Sequence, residues 1–238
     1  HAGLVGPTRH ESHSSEVGVA VVGCHHYAEC EPLVFGIAMD PCDVLWETGI
    51  SDLPKRGIST IFKHDGKAYV AIQGTGIRVI DPNSGSIDRA IENMTTPWTG
   101  GTLSDDQLYV QERGTFRVFD LSDEAEQWSS ETSDTGVLEP AVDNSIIVVG
   151  GDSGGLTAFD RGSGEVRWES SIDQEVAAIA LVASVVWVAD IDSGVTAQRR
   201  SDSEIFYRST HKVDEVAVHG NTILIGGGDT TSYEFDVG

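Results

Sequence analysis

The chain has 238 residues, 39% of them hydrophobic, and sets 38 Asp and Glu against 15 Lys and Arg for a formal net charge of −23. A surface this acidic repels phosphate backbones and anionic lipid headgroups, which sets nucleic acid aside as a partner. No run of about 18 apolar residues occurs, which sets aside direct membrane insertion through a spanning helix.

Residues 1–16, HAGLVGPTRHESHSSE, form a polar arm whose expected structural use is as a closing strand. The chain opens on His1 without a Met, which reads as a fragment or a processed form and leaves cytoplasmic and extracytoplasmic locations equally open. From Val17 onward the sequence repeats itself. Hairpins are expected around Leu33–Asp40, Lys67–Asp81, Gln107–Asp120, Ser145–Asp160, Ser184–Arg199 and Asn221–Asp236. Each pairs an alternating apolar strand with a Gly/Asp/Thr turn and a second strand that ends near Asp.

That terminal position fixes the period. It falls on Asp40, Asp81, Asp120, Asp160, Arg199 and Asp236, at intervals of 41, 39, 40, 39 and 37 residues. An aromatic follows eight residues later at Trp128, Trp168 and Tyr207; Arg89 takes this place in the second repeat, and Trp46 comes two residues early in the first. A further β-like stretch precedes the later hairpins, as in Val176–Ala183 and Glu215–His219. Units of about 40 residues with four short strands are propeller blades. The expected fold is therefore all-β: a β-propeller of about six four-stranded antiparallel blades over residues 17–238, complete or part of a seven- or eight-bladed ring. The sixth unit stops before its outer strand.

In this repeat Asp160-Arg-Gly-Ser-Gly164 is a turn, with Asp capping the backbone and Gly supplying a positive φ. Trp168 ends a strand where its ring can fill the space between neighbouring blades.

Several segments carry candidate chemistry. Cys24, His25, His26 and Cys30 lie in an insertion of the first unit, and sulfur with imidazole suits zinc or copper. Their spacing matches no standard finger, and neighbouring side chains on a strand point opposite ways. A ligand-free solvated loop, a metal site and a Cys24–Cys30 disulfide that leaves Cys42 over all stay open. Gly151-Asp-Ser-Gly-Gly155 copies the nucleophile loop of trypsin-like serine proteases, but it occupies a hairpin-turn position and no Ala-Ala-His-Cys segment precedes it to supply the base. Asp190-Ile-Asp-Ser-Gly194 starts like a calcium loop and lacks the later ligands. Gly226-Gly-Gly228 leads into a strand rather than a helix, so it offers no phosphate cradle. No catalytic residue emerges.

The stretch Gly155-LTAFDRGSGEVRWE resembles the PQQ-like, quinoprotein-type propeller repeat: a hairpin, Ala-x-Asp, a Gly-containing turn, then a strand ending in Trp. The match is close in repeats one and four and looser in the others. WD40 repeats share the period, but their Gly-His and Trp-Asp dipeptides are absent. The abundant acid, with only four Lys, also resembles the proteins of salt-loving archaea.

The resemblance implies one of two roles. Quinoprotein dehydrogenases of this kind hold pyrroloquinoline quinone in an eight-bladed ring over a vicinal Cys-Cys pair, with calcium nearby. Here the three cysteines are at 24, 30 and 42, and no two are adjacent. Members without those features are binders, outer-membrane assembly lipoproteins among them, a setting that does not suit a salt-loving archaeon. The expectation is a non-catalytic propeller that binds a protein or peptide without a cofactor. The alternative is a quinone- or metal-dependent oxidoreductase or a fragment of one.

Overall fold

The structure is a computed structural model. It describes residues 2–4, 17–22, 33–38, 43–50, 58–72, 76–92, 101–112, 114–132, 134, 138–190, 194–209, 215–219, 222–226 and 232–236. Every regular element among them is a β-strand. No helix of the described residues is long and apolar enough to cross a membrane. The chain divides into two compact units, His1–Thr99 with Ser122–Ala125, and Gly100–Leu121 with Glu126–Gly238.

The first unit holds two sheets. Sheet 1 joins Ala2–Leu4 (β1), Val17–Val22 (β2), Leu33–Ala38 (β3) and Val44–Gly49 (β4). Sheet 2 joins Ile58–His64 (β5), Lys67–Ile72 (β6), Gly76–Ile80 (β7) and Ile87–Ile91 (β8).

The second unit holds the rest. Sheet 3 joins Gly101–Ser104 (β9), Gln107–Glu112 (β10), Thr115–Asp120 (β11) and Ala125–Glu131 (β12, whose first residue counts with the first unit). Sheet 4 joins Ala141–Val142 (β13), Ile146–Gly150 (β14), Gly155–Asp160 (β15) and Val166–Ser171 (β16). Sheet 5 joins Val176–Val182 (β17), Val185–Asp190 (β18), Gly194–Arg199 (β19) and Ile205–Ser209 (β20). Sheet 6, among the described residues, joins Glu215–His219 (β21), Thr222–Gly226 (β22) and Ser232–Asp236 (β23). Each described register is antiparallel between chain neighbours, so every sheet is a meander. Ala2–Leu4 of the arm pairs with β2, so these three residues serve the first sheet and not the last.

Strand composition follows position in the sheet. Several middle strands are continuous β-branched or apolar runs buried along their whole length, such as Ile146-Ile-Val-Val149, whereas β3 and β11 alternate between buried and half-buried positions. Such runs suit strands covered on both faces. Outer strands such as β16 are mostly exposed, with Trp168 as the buried position. The core therefore lies between the faces of successive sheets. Ile146, Val148, Leu156 and Ala158 of sheet 4 pack with Val186 and Val188 of sheet 5, and Val34 and Ile50 pack with Ala68, Val70 and Ile80 in the first unit.

Register corrects one repeat assignment. Ala158 lies opposite Trp168, Val79 opposite Arg89 and Ala197 opposite Tyr207, each pair followed by a bulge; in sheet 1 the equivalent pair is Gly36 and Trp46. The turn that follows is closed from Asp81 N–H to the Ser86 carbonyl, from Asp160 to Glu165, and from Arg199 to Glu204, and in sheet 1 from Ala38 to Asp43. Ala38 thus holds the place the sequence assigned to Asp40, and Trp46 is not early. The assignment followed residue identity, whereas backbone hydrogen bonds define the turn. Asp40 itself lies outside the described residues.

The turn explains the recurring Asp and Gly. Asp160 Oδ1 accepts the N–H groups of Gly162 (3.0 Å) and Ser163 (2.9 Å), and Asp81 Oδ1 accepts those of Asn83 (2.9 Å) and Ser84 (3.1 Å). Four residues after the Asp the backbone turns left-handed, at φ 72° in Gly85 and 73° in Gly164. Where Arg199 replaces Asp, Asp202 supplies the cap by accepting the Glu204 N–H, and Ser203 takes the left-handed position.

The carboxylates of these turns are held ionised. Lys67 beside Asp81 and Arg167 beside Asp160, with the backbone donors, lower each pKa to about 2. A depressed folded-state value adds stability above the ordinary carboxylate range, and that stability is lost as pH falls toward 2. Asp160→Asn is therefore expected to lower the thermal midpoint at pH 7 and to flatten its fall between about pH 4 and pH 2. A midpoint-against-pH curve parallel to wild type would count against this.

Candidate functional site

The outer-strand tryptophans make contacts between consecutive sheets. The Trp46 indole N–H donates to the Pro82 carbonyl and the Trp168 indole N–H to the Arg200 carbonyl, each at 2.8 Å. Both acceptors follow the terminal residue of the next repeat by one. The rings lie against that next turn. A Cβ on Gly85 would fall 2.5 Å from the Trp46 ring, and one on Gly164 would fall 2.7 Å from the Trp128 ring, so a left-handed backbone and the missing side chain are both needed there. In the first unit Arg89 stands in the Trp place, and the Glu124 carboxylate 2.5 Å from it stands in the Gly place. Tyr207 tilts against Trp187 with ring centroids 5.9 Å apart. Asp120 pairs in register with Gln107, and Asp236 with Thr222, each opposite the first residue of the preceding strand.

At the same end of sheets 3 to 5, two arginines reach backward across a sheet boundary. Arg161 Nε donates to the Tyr109 hydroxyl (2.7 Å), Nη1 to the Asp143 carbonyl (3.1 Å) and Nη2 to Asp105 (2.6 Å). Tyr109 in turn donates to Gln107 Oε1 (2.6 Å), and burial pushes its phenol pKa up. Arg200, one repeat later, donates to the Ala183 carbonyl (3.0 Å) and the Ser145 hydroxyl (3.0 Å) and pairs with Asp143. Sequence reasoning missed both. The available signal was their shared place, one residue after Asp160 and Arg199, in a chain with only 11 Arg.

Beside Arg161 a cleft of about 560 Å³ opens between sheets 3 and 4, lined by Gln107, Gln127, Trp128, Asn144, Arg161 and the Gly162–Ser163 turn. Its lining is amides, the Ser163 hydroxyl, one aromatic ring and one ion-paired guanidinium, with no carboxylate.

The protease-like loop has a different content. Gly151–Gly155 is the turn between β14 and β15, and Gly154 has φ 82°. Its Ser153 and Gly155 N–H groups converge on one carboxylate oxygen, Asp134 Oδ2, at 2.8 and 2.9 Å. Asp134 comes from the segment before sheet 4 and is buried. The loop is thus an anion nest filled by the protein's own carboxylate, and its donors are committed. At the equivalent turn of sheet 5, the buried Asp190 accepts the Gly194 N–H at 3.2 Å. Cys24, His25, His26, Cys30 and Cys42 lie outside the described residues. Among the described residues no group of three or more His, Cys, Asp or Glu could hold a metal ion.

Residues 112–236, just over half of the chain, match the family described as outer membrane protein assembly factor BamB. The chain belongs to this BamB family of PQQ-like repeat proteins. Its fold is similar to that of BamB from Moraxella catarrhalis, with a TM-score of 0.71 at 16% identity over 93% of this chain and 70% of that one. It is also similar to the computationally designed Ika8 protein (TM-score 0.69, 13% identity, 92% of this chain and 68% of that). Saccharomyces cerevisiae Sqt1 gives a TM-score of 0.68 at 12% identity, with 92% and 68% covered. No curated protein matches the sequence. The BamB-like chain is therefore an all-β propeller, as its repeat predicts.

Proposed function

We propose that this chain is a non-catalytic propeller that holds another polypeptide. The match of residues 112–236 to a family named for an assembly factor carries the reading. The nest at Gly151–Gly155 supports it, because the donors that a nucleophile loop would offer to an oxyanion are spent on Asp134. Such binding needs neither a metal nor a quinone. Propeller turns are the natural place for it, since turns tolerate variation while the sheets hold them in place.

The test is capture at high salt with the purified chain as bait, followed by reconstitution with each purified candidate and sedimentation analysis. A defined-stoichiometry complex with one protein is expected. A visible absorption band that bleaches on addition of an alcohol or sugar substrate would overturn the reading in favour of an oxidoreductase.

We also propose that the working medium is concentrated salt. With a net charge of −23, self-repulsion is screened over about 10 Å at 0.1 M salt and about 3 Å at 1 M. Dialysis from molar salt to about 50 mM is expected to abolish the β-type circular dichroism. An unchanged spectrum would refute this setting.

A further inference from the structure

The junction between sheets 3 and 4 departs from its equivalents. Trp46 and Trp168 give their indole N–H to a carbonyl of the next sheet. Trp128 holds the same repeat position and packs on Phe116 and Phe159, with centroids 5.5 and 5.8 Å away, yet its indole N–H has no acceptor among the described residues. It is at this junction, beside that ring, that the 560 Å³ cleft opens. Its volume lies within the range of roughly 300–1,000 Å³ that ligand sites occupy.

Other groups of the cleft add donors. Gln107 Oε1 is taken by Tyr109, which leaves its amide nitrogen. The exposed Asn144 side chain makes no hydrogen bond among the described residues. Arg161 is a fixed wall, its nitrogens held by Tyr109, Asp143 and Asp105. An indole N–H can only donate. The cleft thus presents neutral donors, with a free acceptor at Asn144 Oδ1, beside an aromatic face, which suits a neutral ligand rich in acceptors that also carries donors, as a peptide main chain does. A strongly anionic ligand would meet the field of the −23 chain.

We infer that this cleft binds the main chain of an extended peptide, with Trp128 Nε1 and the Gln107 and Asn144 amides donating to the peptide carbonyls on the side of the segment that faces them. This rests on the protein-holding role and places it at one junction. Carbonyls of an extended segment are evenly spaced acceptors, and recognition through them leaves most side chains of the ligand unspecified.

The test uses the full chain at molar salt with ¹⁵N-labelled indoles. The probes are acetyl-tetraalanine amide, which offers main chain and little else, and maltohexaose, a neutral polyol. The peptide is expected to shift the Trp128 Nε1–H resonance and to leave those of Trp46 and Trp168 in place. Trp128→Phe keeps an aromatic ring at the seam, removes a donor that takes no acceptor among the described residues, and is expected to weaken the peptide at least tenfold with at most a small fall in the unfolding midpoint. Asn144→Ala is expected to weaken it severalfold. A shift with maltohexaose and none with the peptide overturns the assignment, as does peptide affinity that survives Trp128→Phe. If a captured protein binds Trp128→Phe as well as wild type, the cleft assignment falls while the protein-holding role stands. If no protein partner forms a complex and the peptide still shifts Trp128, the role falls and the cleft remains.

Discussion

Trp168→Ala is expected to lower the stability of the protein by about 3–5 kcal/mol, the range for removing a large buried ring. Trp168 is 8% exposed and packs among Ile146, Val148, Ile172, Val186 and Val188, so its loss opens a cavity between sheets 4 and 5. It also strands the Arg200 carbonyl, which accepts its N–H. Trp168→Phe separates the two effects: most of the packing remains, and the missing donor alone costs about 1 kcal/mol. Tyr207→Ala is a control at the same repeat position, because that ring is 38% exposed and should matter less. Guanidinium unfolding at constant high salt gives the comparison. A midpoint unmoved by Trp168→Ala would show that the sheets do not depend on this ring.

The second large effect is expected at Asp134. Replacement by Ala leaves the Ser153 and Gly155 N–H groups without their shared acceptor in a turn whose Gly151 and Gly154 are buried. Losing two charge-assisted hydrogen bonds of this kind costs about 3 kcal/mol or more. Asp134→Asn retains an acceptor oxygen and should recover part of the loss. Ser153→Ala, in contrast, is expected to stay within about 0.5 kcal/mol of wild type, since the nest uses only the backbone N–H of that exposed residue. A nucleophile would show the opposite sensitivity. Equal midpoints for Asp134→Ala and wild type would mean the nest is not a structural clip.

These two sites differ in how far the sequence revealed them. Trp168 was legible because it recurs: Trp128 and Tyr207 stand at the same distance from Asp120 and Arg199, and periodicity makes a single-residue signal visible. Asp134 does not recur. It lies in a segment without strand alternation, and the N–H groups that donate to it are 19 and 21 residues ahead, across a sheet boundary. The Arg161 side chain reaches Asp105 over 56 residues for the same reason. A repeat fixes what happens within one unit, whereas the approach of one unit to the next is set by packing that local patterns do not encode. The misplaced first position shows the limit within a unit as well: Asp40 has the right identity, but Ala38 makes the defining backbone bond.

The Trp–Gly contact has a consequence for exchanging repeats. Each unit carries half of one contact and half of another, the ring for the unit that follows and the turn for the unit that precedes. Trp128 meets Gly164, while Arg89 meets Glu124. A unit taken from the fourth place and grafted after Arg89 would set a guanidinium against a glycine and lose the ion pair without gaining the ring. Grafting it after Trp46, which already faces Gly85, would preserve the match. The interchangeable module of this chain is therefore not the sheet but the seam, and any recombination or design that cuts between sheets must move both sides of a seam together.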